Sequence, residues 1–320
     1  MKHVYALLIY IVGAVAGTAC AQPYPNRTIT VVVPFAAGGA VDVMARLFGA
    51  KISENIGQAV VVENRGGGGA TIGIGAVATA EPDGYRILYT PNSVAIIPAL
   101  YHKLSFNPET GLTPVSQALS STLVLTAHPK LGVSSVQELI SYAKAHPGKL
   151  NFGSAGVADP LQLGVELLKT MTGIEAQAIP FRGQGPMFTA LLAGEIDIGI
   201  VSLQTALPSI QSGMLRPLGV TGGKRAKSLP QVPTIGEAVP GYEITSWHGF
   251  FVPARTPSNV IARLHDEVVR AGKLPDVKDR IEAAGNEVIA NSPQEFATIF
   301  HADMEKFKKL VQTAKLPPQD

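Results

Sequence analysis

The sequence predicts a two-domain α/β protein, and three observations carry that expectation. Short β-branched runs alternate with helix-period patterns along most of the chain, the signature of a largely parallel α/β architecture. The chain has 320 residues, and at roughly 100–200 residues per domain that length suggests two domains. Hydrophobic residues make up 46% of it, enough to furnish a core in each.

The elements follow in order. Lys2 precedes an apolar run at 4–15, and small residues then lead to an A-x-A site, Ala19-Cys20-Ala21. This is the layout of a secretory signal peptide, expected at 1–21. The apolar run is shorter than the ~20 residues a membrane span needs. A competing reading makes Cys20 a lipidated N-terminus, although Gly17 stands where such signals usually carry Leu. Export is expected on either reading. Cleavage after Ala21 leaves 320 − 21 = 299 residues without cysteine, which excludes a disulfide framework and a thiolate nucleophile or metal ligand. Formal charge is +2, or +1 once Lys2 is lost, with no basic stripe, so nucleic acid is not an expected partner. No later apolar run reaches spanning length, and the mature chain is expected to be soluble.

Residues 28–33 read as the first strand, and a helix over about 41–52 places Val41, Met44, Phe48 and Ile52 on one face. Further strands are expected at 59–63, 86–90 and 123–126. Ser135 and Glu138 have capping-box spacing and start a helix that Pro147-Gly148 ends. A strand end at 150–153 leads to a helix opened by Asp159-Pro160, and 196–201 reads as another strand. The Gly- and Pro-rich segment 229–241 reads as loop. Two amphipathic helices close the chain. One follows Pro257-Ser258 with Ile261, Leu264 and Val268 on a face. The other is capped by Ser292, with Pro293 and Glu295 in its first turn, and buries Phe296, Phe300, Phe307 and Val311.

Enzyme motifs fail when counted. Three Gly-Lys pairs exist, and Leu150, Arg225 and Leu274 follow them where a Walker loop needs Ser or Thr. The run Gly73 to Ala78 matches G-x-G-x-x-A, but glycines and a Thr-Ile pair precede it, not a strand. Around Ser154 a nucleophile elbow would need glycine at Phe152. The seven histidines form no HExxH motif. Glu195 and Asp197 read as solvated or capping carboxylates. Nothing here proposes a reaction, a cofactor or a metal.

The stretch VVVPFAAGGAVD, at 31–42, is the informative one: a strand runs into a helix through a turn without reactive side chains. A helix start carries unpaired N–H donors and about half a positive charge. A glycine pair lets an anion approach them, because no Cβ intervenes. Two readings stand for Gly38 and Gly39, a tight βα turn or an anion site. Asp42 reads equally as a dipole-complementing residue, and Phe35 as core or ligand wall. A second such turn, Phe152-Gly153-Ser154-Ala155-Gly156, precedes the helix at Asp159, with Ser154 as cap or ligand donor. Two anion-capable helix starts far apart in sequence suit a ligand held in a cleft.

At these residues the chain resembles the Bug-type receptors of tripartite tricarboxylate transporters. The ordered series includes Pro34-Phe35-Ala36-Ala37-Gly38-Gly39 with Asp42, Val62-Glu63-Asn64-Arg65, Pro82-Asp83-Gly84-Tyr85 and Thr113-Pro114-Val115-Ser116. It continues with Phe152-Gly153-Ser154, Pro180-Phe181-Arg182-Gly183, Gly194-Glu195-Ile196-Asp197, Trp247-His248-Gly249-Phe250 and Pro253-Ala254-Arg255-Thr256-Pro257. The resemblance implies a type II periplasmic binding fold, a Venus flytrap of hinge-linked lobes. Domain 1 would be 27–122 with 243–320, and domain 2 would be 123–242. It implies a small carboxylate ligand (a di- or tricarboxylate, an acidic amino acid or an aromatic acid), membrane permease subunits as partners, no cofactor, and a monomer. The turn of Phe35, Ala36, Ala37, Gly38 and Gly39 would hold a carboxylate through backbone N–H groups and waters. Thr90, Ser93, Gly153, Ser154, Ala155, Gly156, Phe181, Arg182 and Gly183 would face the remainder. Arg182 reads equally as a surface or interdomain ion-pair residue. Two departures stand out. Ser93-Val94-Ala95-Ile96-Ile97-Pro98 lacks the His and Asn of many relatives. Val157-Ala158-Asp159-Pro160 replaces a further glycine, with Gln162-Leu163 in place of a His-Leu pair, and there Asp159 reads as helix cap or partner of a ligand ammonium.

Overall fold

The computed structural model describes residues 24–101, 103–154, 159–181, 183–283 and 285–319. The expected signal peptide at 1–21, with Cys20, and the site candidates Ala155, Gly156 and Arg182 lie outside the described residues.

Strands β1 (Ile29–Val33), β2 (Val60–Asn64), β3 (Arg86–Pro91) and β4 (Leu112–Ser121) come first. Next are β5 (Leu123–Ala127), β6 (Asn151–Ser154), β7 (Gln177–Pro180), β8 (Ile198–Ser202) and β9 (Arg216–Val220). Then β10 (Ser246–Pro253) and β11 (Asn286–Val288) return to the first sheet, whose order is β11-β4-β10-β3-β1-β2. The second sheet has the order β7-β6-β8-β5-β9. Helices α1 (Ala40–Ile56), α2 (Thr71–Ala78), α3 (Ser93–Leu100) and α4 (Pro108–Gly111) belong with the first sheet. Helices α5 (Val136–Ala145), α6 (Pro160–Thr172), α7 (Gln184–Leu192), α8 (Leu203–Gln211) and α9 (Ile235–Ala238) accompany the second. The chain closes with α10 (Ser258–Lys273), α11 (Pro275–Ala283) and α12 (Pro293–Thr313).

The expectation of largely parallel sheets holds only in part. β1 is parallel to β2 and β3, and β6 is parallel to β7 and β8. β10 runs antiparallel to both β3 and β4, and β5 antiparallel to both β8 and β9. β5 and β10 are the strands the chain enters as it passes between sheets, where no crossover helix sets a parallel neighbour, and β11 at the edge of the first sheet is antiparallel to β4. The expected loop at 229–241 also holds a short helix, α9. Thr234 and Glu237 form a reciprocal capping box there, a T-x-x-E signal that the surrounding prolines obscure.

Burial follows from layering. Val31, Val33, Ile87 and Phe250 face α1, α10 and α11 in one apolar cluster. Val32, Leu88, Trp247 and Phe251 face the opposite way, and their cluster continues into the second lobe. In α12 the capping box at Ser292 and Glu295 is formed, and Phe296, Phe300 and Phe307 are fully buried. Trp247 Nε1 donates to Asp303 Oδ2 at 2.7 Å and pins this helix to β10.

The passages between lobes are tied down by backbone bonds. Leu203 N–H donates to Thr122 O at 2.9 Å, and Ile244 N–H to Thr221 O at 2.9 Å. Beside them Gly285, at φ +66, rests on α8: a Cβ there would lie 2.9–3.1 Å from the Cβ, N and Cα of Gln204. Only glycine permits so close an approach in that conformation.

Candidate ligand-binding cleft

In each sheet the parallel strands deliver their C-terminal ends to one edge, where helices begin and where open α/β sheets bind ligands. At the end of β3, Asn92 Nδ2 donates to Thr245 O at 2.9 Å, and at the end of β8, Leu203 is bonded to Thr122. Thr122 and Thr245 both lie on the passages between lobes, so the two edges meet at the hinge.

In the first lobe β1 ends in the turn Pro34 to Gly39. Gly38 has φ +83, which L side chains rarely adopt, and Gly39 is the extended N-cap of α1. No side chain caps this helix start, so its leading N–H groups stay available to an acceptor. Asp42, 3% exposed, turns back instead of outward. Its Oδ2 accepts from Gly38 N–H at 2.8 Å and Arg46 Nε at 3.0 Å, and its Oδ1 from Asn64 Nδ2 at 2.9 Å. Burial alone would raise this carboxyl. The hydrogen bonds from Arg46, Gly38 and Asn64, with the Arg46 charge, outweigh burial and hold it below the ordinary value. Asp42 therefore braces the turn, and Arg46 neutralises a charge that would otherwise repel an anion. Asn64 also donates to Phe35 O at 3.1 Å, and a Cβ on Gly66 would lie 3.5 Å from Ala36 N. Behind the turn Gly73 of the G-x-G-x-x-A run lets α2 press on it, since a Cβ there would be 2.7 Å from Arg65 O and Pro34 Cβ.

In the second lobe Ser154 Oγ donates to Gln162 Oε1 at 2.7 Å, and Phe181 N–H donates to Ser154 O at 2.8 Å. Gly183, at φ +102, is the N-cap of α7 without a side-chain cap. Gln184 Nε2 donates to Ser202 Oγ at 3.2 Å and Thr205 Oγ1 at 3.1 Å. Asp159 caps α6 by accepting from Leu161 N–H at 2.8 Å. Burial lifts its carboxyl to about 6, with the Leu161 bond opposing.

The expected residues thus fall into two groups. Phe35, Ala36, Ala37, Gly38, Gly39, Phe181 and Gly183 lie at accessible or half-buried positions on the turns. Asp42, Thr90, Ser93, Gly153 and Ser154 are buried behind them. Thr90 Oγ1 and Asn92 Oδ1 are enclosed without a hydrogen-bond partner among the described residues, while Gly153 gives its space to Met187 and Ile196. Sequence reasoning did not count Arg46, Asn64, Asn92, Gln162 and Gln184 among the site residues. The parallel register sets Asn64 beside Val33, within reach of the turn, and that register is a three-dimensional fact. A separate groove of about 560 Å³ between α10 and α12, lined by Ile261, His265 and Pro293 among others, shares no residue with these turns.

The comparisons agree with this geometry. The sequence profile described as tripartite tricarboxylate transporter family receptor matches residues 44–316. A Pseudomonas protein encoded in a tcbD-tcbE intergenic region is 36% identical over 295 residues, covering 92% of this chain and 88% of its own. The structure of R. palustris Rpa4515 with adipate is 34% identical with a TM-score of 0.82, covering 92% of this chain and all of that one (100%). MatC from Rhodopseudomonas palustris with bound malate is 31% identical with a TM-score of 0.79, covering 90% of this chain and 100% of its own. Two hinged lobes, a helix start bare of side-chain caps and these likenesses lead to one conclusion: the chain belongs to the tripartite tricarboxylate transporter receptor family.

Proposed function

We propose that this protein is a periplasmic solute-binding receptor that closes its lobes over a small carboxylate and passes it to the membrane subunits of a tripartite transporter. The observation that carries the reading is the start of α1. Its N–H groups are uncapped, Gly38 and Gly39 leave them approachable, and the nearest carboxylate, Asp42, is neutralised by Arg46. Hydrogen bonds to a charged group contribute roughly 1.5–3 kcal/mol each, and two or three sustain ~µM affinity. The neighbours solved with adipate and malate support this ligand class. Closure is a hinge motion that a ligand favours by touching both lobes at once.

The division of strands between two sheets supports lobes at 27–122 with 243–320 and at 123–242. Export by cleavage after Ala21, and a monomeric mature protein, complete the proposal. N-terminal sequencing of the exported protein separates that cleavage from lipidation at Cys20, and light scattering gives the mass in solution.

The test is a thermal-shift screen over aliphatic and aromatic carboxylates, with calorimetry on each hit, in the native protein and in Gly39→Val. A Cβ on Gly39 meets only Ala36 O at 3.6 Å, so the variant folds while its branched side chain covers the amides. Binding in the native protein and none in the variant is the expected outcome. Native affinity in Gly39→Val relegates the turn to scaffolding.

A further inference from the structure

We infer that Asp42 makes the first-lobe turn select singly charged heads: it admits a carboxylate and turns away a doubly charged group such as a phosphate ester, without touching either. This rests on the carboxylate-receptor reading above and narrows its substrate class.

Ala36 to Ala40 are exposed, and Asp42 is buried behind them. Its Oδ2 takes the Gly38 N–H at 2.8 Å, so a full negative charge stands one hydrogen bond behind the amides left for a ligand. The turn from Pro34 to Gly39 holds no cationic side chain, whereas phosphate loops add a lysine to their amides. Among the described residues, the cation bonded to Asp42 is Arg46, and the two are unequally hydrated. The Arg46 side chain is 51% exposed and that of Asp42 4%. Water screens the exposed charge far more than the buried one, and Arg46 lies a helical turn further from the glycines. The pair cancels at a distance, while close to the turn the carboxylate prevails. At the end of β2 and the start of β3, Arg65 and Arg86 both pair with Glu63.

Each unit of ligand charge meets the field of Asp42, so a dianion loses about twice what a monoanion loses. A phosphate ester that keeps a proton gains nothing by offering it to Asp42. Oδ2 already accepts from Gly38 and from Arg46 Nε at 3.0 Å, and Oδ1 from Asn64 Nδ2 at 2.9 Å with Arg46 Nη2 at 3.0 Å. Both oxygens are filled. Bracing alone does not call for a charge, because an amide at position 42 would still accept from Gly38 N–H.

The experiment uses two matched ligand sets at pH 7.5: benzoate, benzenesulfonate and phenyl phosphate, then hexanoate, hexanesulfonate and hexyl phosphate. The sulfonate has the tetrahedral shape with one charge, and the phosphate ester, with its second pKa about 6, carries nearly two. Calorimetry is run on the native protein, Asp42→Asn, Arg46→Gln, the double variant and Gly39→Val, with folding checked by circular dichroism. In at least one set the carboxylate should bind the native protein roughly tenfold or more tightly than the phosphate ester, with the sulfonate between them. Asp42→Asn should shrink that ratio roughly tenfold by strengthening the phosphate ester. Arg46→Gln should weaken every acid, and adding Asp42→Asn to it should restore carboxylate binding. A purely structural role predicts the reverse, a proportionate loss of all three acids in Asp42→Asn and a further loss in the double variant. That result overturns the inference, as does a phosphate ester that matches the carboxylate in the native protein or stays unbound in Asp42→Asn. In those cases binding lost in Gly39→Val leaves the receptor reading standing. If no acid of either set binds the native protein or Asp42→Asn, both readings fall together.

Discussion

At Gly38 the backbone sits at φ +83, while Gly39 beside it, at φ −76 and ψ 167, is in a region open to every residue. Gly38→Ala should therefore lose about 1 kcal/mol or more of stability to backbone strain. Gly39→Ala should lose little, and urea titration of the pair checks this. A second contrast concerns pH. Burial pushes His248 down from 6.5 to about 4, so the unfolded chain takes up a proton the folded one refuses between those values. Its contribution is present above the unfolded value and is lost as pH falls, by up to about 3 kcal/mol. Asp159, raised to about 6, works in reverse: it favours folding at low pH and loses that effect as pH rises towards 6. The two slopes oppose each other in one window. His248→Gln should make stability increase on going from pH 6.5 to 4, and Asp159→Asn should make it fall more steeply than in the native protein. Denaturant melts at stepped pH read both.

Among the elements, α12 offers the cleanest measurement. Ser292→Ala removes a formed capping box and should cost about 1 kcal/mol. Phe300→Ala empties a fully buried site and should cost about 3–5 kcal/mol. The chain has one tryptophan, Trp247, bonded to Asp303 of this helix, so its emission follows α12 leaving β10 in both variants. This helix was also the most legible in the sequence, since Ser292, Pro293 and Glu295 announce its start and the Phe spacing its buried face. β1, β2, β3 and β5 were readable from β-branched runs. β10 was not read as a strand, because it is buried along its whole length and shows no alternation. β7 and β11 are too short for periodicity to speak, at four and three residues. At the candidate site the glycine turn was visible because its meaning is local. The brace of Asp42, Arg46 and Asn64 depends on which strand ends lie side by side, and no local pattern carries that.

For the molecule as a whole, the hinge is where stability and binding meet. Gly285→Ala and Gly173→Ala place a methyl at nearly the same backbone angle, φ +66 and φ +69. At Gly173 nothing lies within 4 Å, whereas at Gly285 the methyl meets Gln204. Both variants should lose about 1 kcal/mol to the backbone. Only Gly285→Ala should also change the radius of gyration by small-angle scattering and the carboxylate affinity by calorimetry. Equal behaviour of the two would remove Gly285 from any part in lobe movement.

Gly285 precedes Asn286, which pairs with Ser121, and Ser121 precedes the passage at Thr122. Its contact with Gln204 therefore lies beside the passage between the sheets, close to the axis of the proposed closure. A displacement too small to notice there is magnified at the rims, as at the long arm of a lever. A substitution at this spot can retune how readily the jaws shut, and with it the tightness of capture, while every atom that meets the guest stays unchanged.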